Sequence, residues 1–122
     1  MTELERIRRV MEGPRGEAFL RRVLTERELA HMEKAGFRGA RRTEFAAGRW
    51  AAKEAVSKAL GCGIGGALGF RDIEVLPDPA GRPVCSIHEE AWRRLGVQAY
   101  VHLSITHTRE YAAAFAVAEK AV

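Results

Sequence analysis

The sequence predicts an α+β fold in which N-terminal helices and one long helix pack on an antiparallel sheet. Three observations predict it: amphipathic spacing in the first third, a helical run over 41–60 without proline, and strand-forming runs after residue 70. The chain has 122 residues, which suits one modest core. We therefore expect a single domain over 1–122.

The helices of the first half follow from apolar periodicity and capping signals. Apolar residues recur at helical spacing over 2–12, and a second helical segment is predicted at 15–23. Thr25 and Glu28 fit a capping box, in which the hydroxyl and the carboxylate each accept a backbone amide. A third helix is thus expected to begin there, followed by the long helix at 41–60.

The second half is predicted to be mainly strands. In chain order we expect a strand at 70–76, a turn at 77–83, a strand from Val84, a short helix ended by Gly96, and strands at 99–106 and 111–119. Because only HTRE separates the last two runs, they should form an antiparallel pair. The alanine-rich 111–119 run is also a good helix former, but Tyr111, Phe115 and Val117 alternate as in a strand.

Composition and charge exclude several classes of protein. No run of about 20 apolar residues is present and the N-terminus is charged, so neither a membrane protein nor a secreted one is expected. Cys62 and Cys85 lack metal-ligand spacing, which favours a reducing cytoplasm. The net charge of +4 is concentrated in N-terminal arginines, but glutamates interrupt them, so nucleic-acid binding is not expected.

The stretch RWAAKEAVSKALGCGIGG, residues 49–66, combines a helix with a glycine-rich exit. Helical spacing puts Trp50, Glu54, Ser57 and Lys58 on one face. One interpretation is an ordinary ion pair between Glu54 and Lys58, which are four residues apart. The other is a site for a phosphate and a metal.

The glycines after this helix match the residue spacing of a dinucleotide-binding motif but not its structural context. Gly61, Gly63 and Gly66 fit G-x-G-x-x-G, but that motif follows a strand and opens a helix, whereas these glycines follow a helix. Glycines still let backbone amides approach a phosphate closely. Because a helix C-terminus repels anions, such a site would need Lys58, Lys53 or a metal.

A second candidate for phosphate binding lies at the end of the strand over 99–106. Ser104 and Thr106 share one strand face, and His107 begins the following turn. Hydroxyls and an imidazole can donate to phosphate oxygens. The alternative is that these are ordinary polar residues near a turn.

Several separated segments together resemble the holo-acyl-carrier-protein synthases, the small phosphopantetheinyl transferases of bacteria. The segments are TELERI, FLRRVLTEREL, EFAAGRWAAKEAVSKALGCGIG, FRDIEVLPDPAGRPV and VHLSITHTREYAAAFAVAE. They occur in the family's order through nearly the whole chain, and W-A-A-K-E-A-x-S-K-A-x-G is the family's main signature. The resemblance implies a 4′-phosphopantetheinyl transferase-like fold.

This resemblance also implies an activity, cofactors and partners. A cytoplasmic homotrimer, with active sites between subunits, would transfer 4′-phosphopantetheine from coenzyme A to a serine of apo acyl carrier protein for fatty acid biosynthesis. Glu54 would bind Mg²⁺, and Glu54, Lys58 and His107 would be catalytic. The implied coenzyme A contacts are Arg49, Lys53, Lys58, Gly61, Gly63, Gly65, Gly66, Arg82, Pro83, Ser104, Thr106 and His107. The acidic carrier protein would dock on Arg6, Arg15, Arg21 and Arg22.

The sequence differs from the family pattern at its N-terminus. The family opens with a short apolar strand ending in an aspartate, the second metal ligand, and this chain begins at Met1 in that place. Either the start has been placed too late, or this is a shortened version with weak Mg²⁺ binding, low turnover and an exposed sheet edge. In the second case, a non-catalytic module that binds coenzyme A or a carrier protein is the alternative function.

Overall fold

The computed structural model describes residues 1–120, and its α+β architecture confirms the predicted fold class. Five α-helices pack on antiparallel strands within this part of the chain. The elements are β1 Thr2–Glu3, α1 Leu4–Glu12, α2 Gly16–Val23, α3 Glu26–Lys34, α4 Gly39–Ala59, β2 Ile73–Pro77, β3 Pro83–Ile87, α5 Glu89–Leu95, β4 Ala99–His107 and β5 Tyr111–Lys120. A single 3₁₀ turn, Phe70–Asp72, precedes β2.

The strands form two separate antiparallel sheets. The larger has the order β1-β5-β4, and its β4–β5 register runs from Ala99 opposite Lys120 to His107 opposite Ala112. The smaller is the β2–β3 hairpin, in which Ile73 lies opposite Ile87. The strand assignment of the alanine-rich run is confirmed, as is its antiparallel pairing.

Helix α4 packs against the inner face of the larger sheet because small residues line both surfaces. Ala46, Ala47 and Ala52 of α4 are fully buried, as is Ala112 of β5. A Cβ atom built on Gly48 would lie 3.4 Å from Cγ2 of Ile105, so the helix and sheet nearly touch there. This close approach fixes the position of α4, which carries the candidate site residues Arg49, Lys53, Glu54 and Lys58.

The N-terminus departs from the prediction. Residues 2 and 3 were expected to begin the first helix, but they form β1, which pairs with Tyr111 and Ala112 of β5. The amide of Leu4 then donates to the carbonyl of Glu110 at 2.8 Å. This backbone pairing with β5 sets the start of α1 at Leu4.

Two predicted helix boundaries are confirmed in detail. Thr25 caps α3 in a complete capping box with Glu28. Gly96 ends α5 in the left-handed conformation, with φ of 71°. Among the described residues, none of the helices has the length and apolarity needed to cross a membrane.

Candidate active site

Helix α4 presents Glu54 and Lys58 one turn apart near its C-terminal end. Glu54 is partly exposed and Lys58 is exposed, and neither side chain has an ion-pair or hydrogen-bond partner within residues 1–120. The ordinary ion pair between them, one of the two interpretations of this spacing, is therefore absent from the described structure. Both charges remain available to a ligand.

Ser57 does not share the exposed surface with these two residues, although helical spacing grouped it with them. Its side chain is fully buried, and its Oγ donates to the carbonyl of Glu54 at 2.8 Å. Its own carbonyl accepts from the amides of Cys62 and Gly63 at 3.1 and 3.2 Å. Ser57 thus stabilises the junction between α4 and the loop that follows.

Lys53 was predicted to contact coenzyme A, but its buried position in the structure corrects that prediction. Its ammonium is fully buried, 2.6 Å from Glu28 Oε1 and 2.7 Å from the carbonyl oxygen of Val23. Oε2 of Glu28 accepts from the amide of Val75 at 2.7 Å. Burial lowers the pKa of Lys53, and the Glu28 carboxylate opposes that shift. A lysine so enclosed is unavailable to a ligand, and instead it links α2, α3 and β2 to α4.

The glycine-rich loop, residues 61–69, follows α4, and its Gly61, Gly65 and Gly66 are exposed. Gly61, Gly63, Gly65 and Gly66 all have positive φ, between 47° and 123°, which explains the glycines without any packing constraint. The amides of Ile64, Gly66 and Ala67 have no hydrogen-bond partner within residues 1–120. The loop begins three residues after Lys58, and unpaired backbone amides near a cation are suited to phosphate oxygens.

A second group of predicted residues lies in a cleft of about 500 Å³ between β3 and β4. Arg82, Pro83 and Ser104 line this cleft. The Asp78 carboxylate accepts from the Arg82 amide at 2.8 Å, and such backbone bonds lower the pKa of Asp78. Cys85 also lines the cleft, where burial raises its pKa to about 11.

His107 and Arg49 form a third group, around a cleft of about 230 Å³. The guanidinium of Arg49 lies 4.3 Å from the centre of the Phe45 ring, and its Nε donates to the Val75 carbonyl at 3.2 Å. Burial lowers the pKa of Arg49. Nδ1 of His107 lies 3.7 Å from a carboxylate oxygen of Glu44.

Glu44 is a site neighbour that the sequence analysis missed. It lies ten positions before Glu54 on α4, and no helical spacing connects it to a histidine at the end of β4. The only signal for it is three-dimensional, because Ile105 packs on Gly48 and so brings the end of β4 to the first half of α4.

The predicted site residues do not converge within one chain. Val101, Leu103 and Ile105 of β4 pack against the core beneath α4, so Ser104 and Thr106 point to the outer face of the sheet. Glu54 and Lys58 project from α4, which packs on the inner face. The three groups therefore occupy separate parts of the surface formed by residues 1–120.

The donor set at Glu54 is a single carboxylate. Within residues 1–120 no group of three histidine, cysteine, aspartate or glutamate side chains is placed to hold a metal ion. Mg²⁺ is commonly bound by one or two carboxylates together with substrate phosphates and waters. A Mg²⁺ ion that arrives with a diphosphate therefore fits Glu54, with Lys58 and the loop amides beside it.

The four N-terminal arginines predicted to bind a carrier protein are all exposed, and none has an ion-pair partner among the described residues. Arg8 is instead paired with Glu5 and Glu12. Arg6 lines a cleft with Phe19 and Trp50. The four exposed arginines without an ion-pair partner among the described residues are Arg6, Arg15, Arg21 and Arg22.

Comparison with known proteins identifies the family. The model of the family described as "ACPS: 4′-phosphopantetheinyl transferase superfamily" matches residues 2–116. The chain belongs to this superfamily. The holo-[acyl-carrier-protein] synthase of Geobacillus kaustophilus is 50% identical over 120 residues, which cover 98% of this chain and 84% of that protein. The synthase of Bacillus mycoides is 46% identical over 117 residues, with coverage of 96% and 88%.

Solved structures of phosphopantetheinyl transferases agree with this membership. A holo-(acyl-carrier-protein) synthase from Bacillus anthracis, in complex with CoA (3′,5′-ADP), has a TM-score of 0.82 and 42% identity, covering 98% of this chain and 90% of the other. The synthase of Neisseria meningitidis has a TM-score of 0.83 and 36% identity, with coverage of 98% and 93%. The resemblance and the enzyme class inferred from the sequence are confirmed: the chain is a transferase of the holo-[acyl-carrier-protein] synthase kind.

Proposed function

We propose that this chain transfers 4′-phosphopantetheine from coenzyme A to a serine of an apo acyl carrier protein, with Mg²⁺, in fatty acid biosynthesis. The serine oxygen bonds to the β-phosphorus as the bond from that phosphorus to the bridging oxygen breaks. Adenosine 3′,5′-bisphosphate leaves with that electron pair, and the serine proton passes to a base. The observation that carries the proposal is the unpaired Glu54 and Lys58 beside an exposed glycine-rich loop.

The chain's own residues bind and orient the diphosphate in this proposal. The Lys58 ammonium and the unpaired amides of Ile64, Gly66 and Ala67 bind its oxygens. Lys58 also stabilises the charge that develops on the leaving oxygen. Glu54 holds the Mg²⁺, which when bound adds positive charge at the phosphoryl oxygens.

We also propose that the enzyme is a homotrimer whose sites lie between subunits. The separation of the three groups supports this arrangement, because one subunit cannot bring Ser104 and Thr106 to Glu54. The α4 end of one subunit would supply Glu54, Lys58 and the loop, and the strand end of its neighbour would supply Ser104 and Thr106. His107 ends the same strand but faces Glu44 of its own α4, so its catalytic role stays a prediction from the resemblance.

The carrier protein is proposed to dock on the arginines of α1 and α2. Acyl carrier proteins are acidic, and unpaired surface arginines attract an acidic partner over a distance comparable to the Debye length. The cleft that Arg6 shares with Trp50 lies one helical turn from Glu54. A carrier bound there would present its serine on the side of α4 that carries Glu54.

Mass spectrometry of the carrier protein tests the reaction. The wild-type protein, incubated with coenzyme A, Mg²⁺ and apo carrier, should add one phosphopantetheine group to the carrier. Glu54→Gln should abolish Mg²⁺-dependent transfer with the fold intact, whereas Glu33→Gln, an exposed glutamate on α3, should not. Bound coenzyme A without transfer by the wild type would favour a non-catalytic binding module, and full activity of Glu54→Gln would refute its role as metal ligand.

A further inference from the structure

Arg94, in the last turn of α5, contacts the far end of the glycine-rich loop. Its Nε donates to the carbonyl of Ala67 at 3.1 Å, and its Nη2 donates to Oδ2 of Asp72 at 2.8 Å. The same carboxylate oxygen accepts from the amide of Gly69 at 2.8 Å. One guanidinium and one carboxylate therefore hold three points of the chain between residues 67 and 72.

The two ends of the loop are held by different kinds of hydrogen bond. Its beginning is bonded to α4 through the Ser57 carbonyl, and Gly65 and Leu68 exchange backbone hydrogen bonds at 2.8 and 3.0 Å. Leu68 is fully buried. Its end is held in addition by side chains, because Arg94 bonds the Ala67 carbonyl and Asp72 accepts from the Gly69 amide. Glycine loses more conformational freedom on ordering than other residues do, so these added bonds oppose a larger entropic cost.

Packing and hydrogen bonds fix the position of helix α5, which carries Arg94. Ala91 is fully buried in the core, and Leu95 packs against the same cluster. The amide of His88, which caps the helix, donates to the carbonyl of Asp72 at 2.8 Å. The start of α5 is thus bonded to Asp72 just after the loop, and its buried residues fix the backbone that carries Arg94.

We propose that Arg94 is a positioning residue that keeps the unpaired amides of Gly66 and Ala67 in place for the diphosphate of coenzyme A. This inference rests on the proposed function. The guanidinium fork is suited to the role because it binds a carbonyl and a carboxylate at once, which a lysine ammonium does with less geometric control. Arg94 itself makes no hydrogen bond or ion pair with Glu54 or Lys58.

Arg93 offers a matched control on the same helix. It pairs with Glu90, three residues away, at 2.7 Å, and its side chain is 70% exposed. Arg93→Gln therefore removes the same charge from α5 without removing a contact to the loop. Arg94→Lys keeps a positive charge opposite Asp72 but loses the planar guanidinium that bonds Ala67 and Asp72 at the same time.

Steady-state kinetics and hydrogen exchange on the ligand-free protein test the proposal. For Arg94→Gln we expect the KM for coenzyme A to rise about 3- to 10-fold, as for the loss of one or two charge-assisted hydrogen bonds. The kcat and the KM for the carrier should stay within about twofold. The hydrogen-bonded amides of Gly65, Leu68 and Gly69 should exchange faster in this variant. Exchange in Arg94→Lys should be intermediate, and exchange in Arg93→Gln should match the wild type.

The outcomes separate this inference from the proposed function. A wild-type protein that neither binds coenzyme A nor transfers its arm refutes the proposed function. A wild type that binds coenzyme A, with Arg94→Gln equal to Arg93→Gln in KM and in exchange, refutes only the positioning role. A lower kcat with unchanged KM would also refute it, because that is the result expected from a smaller fraction of folded enzyme.

Discussion

Lys53 and Lys58 of α4 have opposite environments although they lie in one short motif. Lys53 is enclosed with Glu28, whereas Lys58 is exposed and unpaired among the described residues. In the sequence both look like candidate cations for a phosphate. What separates them is Glu28, a residue of another helix, and no local pattern connects a glutamate in a capping box with a lysine on α4.

The buried pair predicts unequal effects on stability. Lys53→Met should lower the free energy of unfolding by about 3–5 kcal/mol, because it leaves the Glu28 carboxylate buried without its cation. Lys58→Met should change it by less than about 0.5 kcal/mol. Urea denaturation followed by circular dichroism measures both values. Equal effects of the two substitutions would contradict the assignment of Lys53 to the core.

The two cysteines should differ in reactivity. Burial raises the pKa of Cys85 to about 11, so near pH 8 almost all of it is the unreactive thiol, and its thiolate fraction grows only as the pH approaches that value. Cys62 is exposed. Iodoacetamide at pH 8 should therefore label Cys62 first, as read by peptide mass spectrometry, with Cys62→Ser as the control. Rapid labelling of Cys85 in Cys62→Ser would contradict the burial of its thiol.

At the scale of elements, the sequence predicted which helices and strands exist better than it predicted their ends. The capping box at Thr25 and the stop at Gly96 are local chemistry, and both are confirmed. Strand β1 was missed because two residues are too few to show the alternation that predicts a strand. Their conformation comes from backbone bonds to the far end of the chain.

Helices α1 and α2 carry a prediction about carrier recognition. Arg21→Glu should raise the KM for the carrier protein about tenfold and leave the KM for coenzyme A unchanged, since a reversed charge repels an acidic partner. The effect should shrink as salt is added. Enzyme kinetics at two ionic strengths measure it, with Arg93→Glu on α5 as the matched reversal. A similar rise in the two variants would point to net charge and not to a docking surface.

At the scale of the whole molecule, no described residue of the chain covers the outer face of the larger sheet. Phe115, Tyr100 and Val117 are 79%, 66% and 61% exposed, and all three point away from α4. In the antiparallel register Ser104 lies directly opposite Phe115. A predicted phosphate ligand and an exposed aromatic ring therefore share this face, so any chain that covered it would lie beside the candidate site.

This arrangement predicts that assembly and activity are lost together. Phe115→Asp should convert the proposed trimer to monomers, because a carboxylate replaces the largest exposed apolar side chain of this face and would be desolvated in the interface. Transfer should fall with it, since Ser104 and Thr106 would no longer reach the neighbouring subunit's Glu54.

Light scattering coupled to size-exclusion chromatography gives the mass, and the carrier assay gives the rate. Val97→Asp, at a residue that is 38% exposed and outside this face, should change neither the mass nor the rate. The shared-site arrangement requires the two losses to coincide, because the groups that are separate in one subunit meet only across the interface. A monomeric wild type with full activity would refute the shared site, and a trimer that persists in Phe115→Asp would refute the placement of this face in the interface.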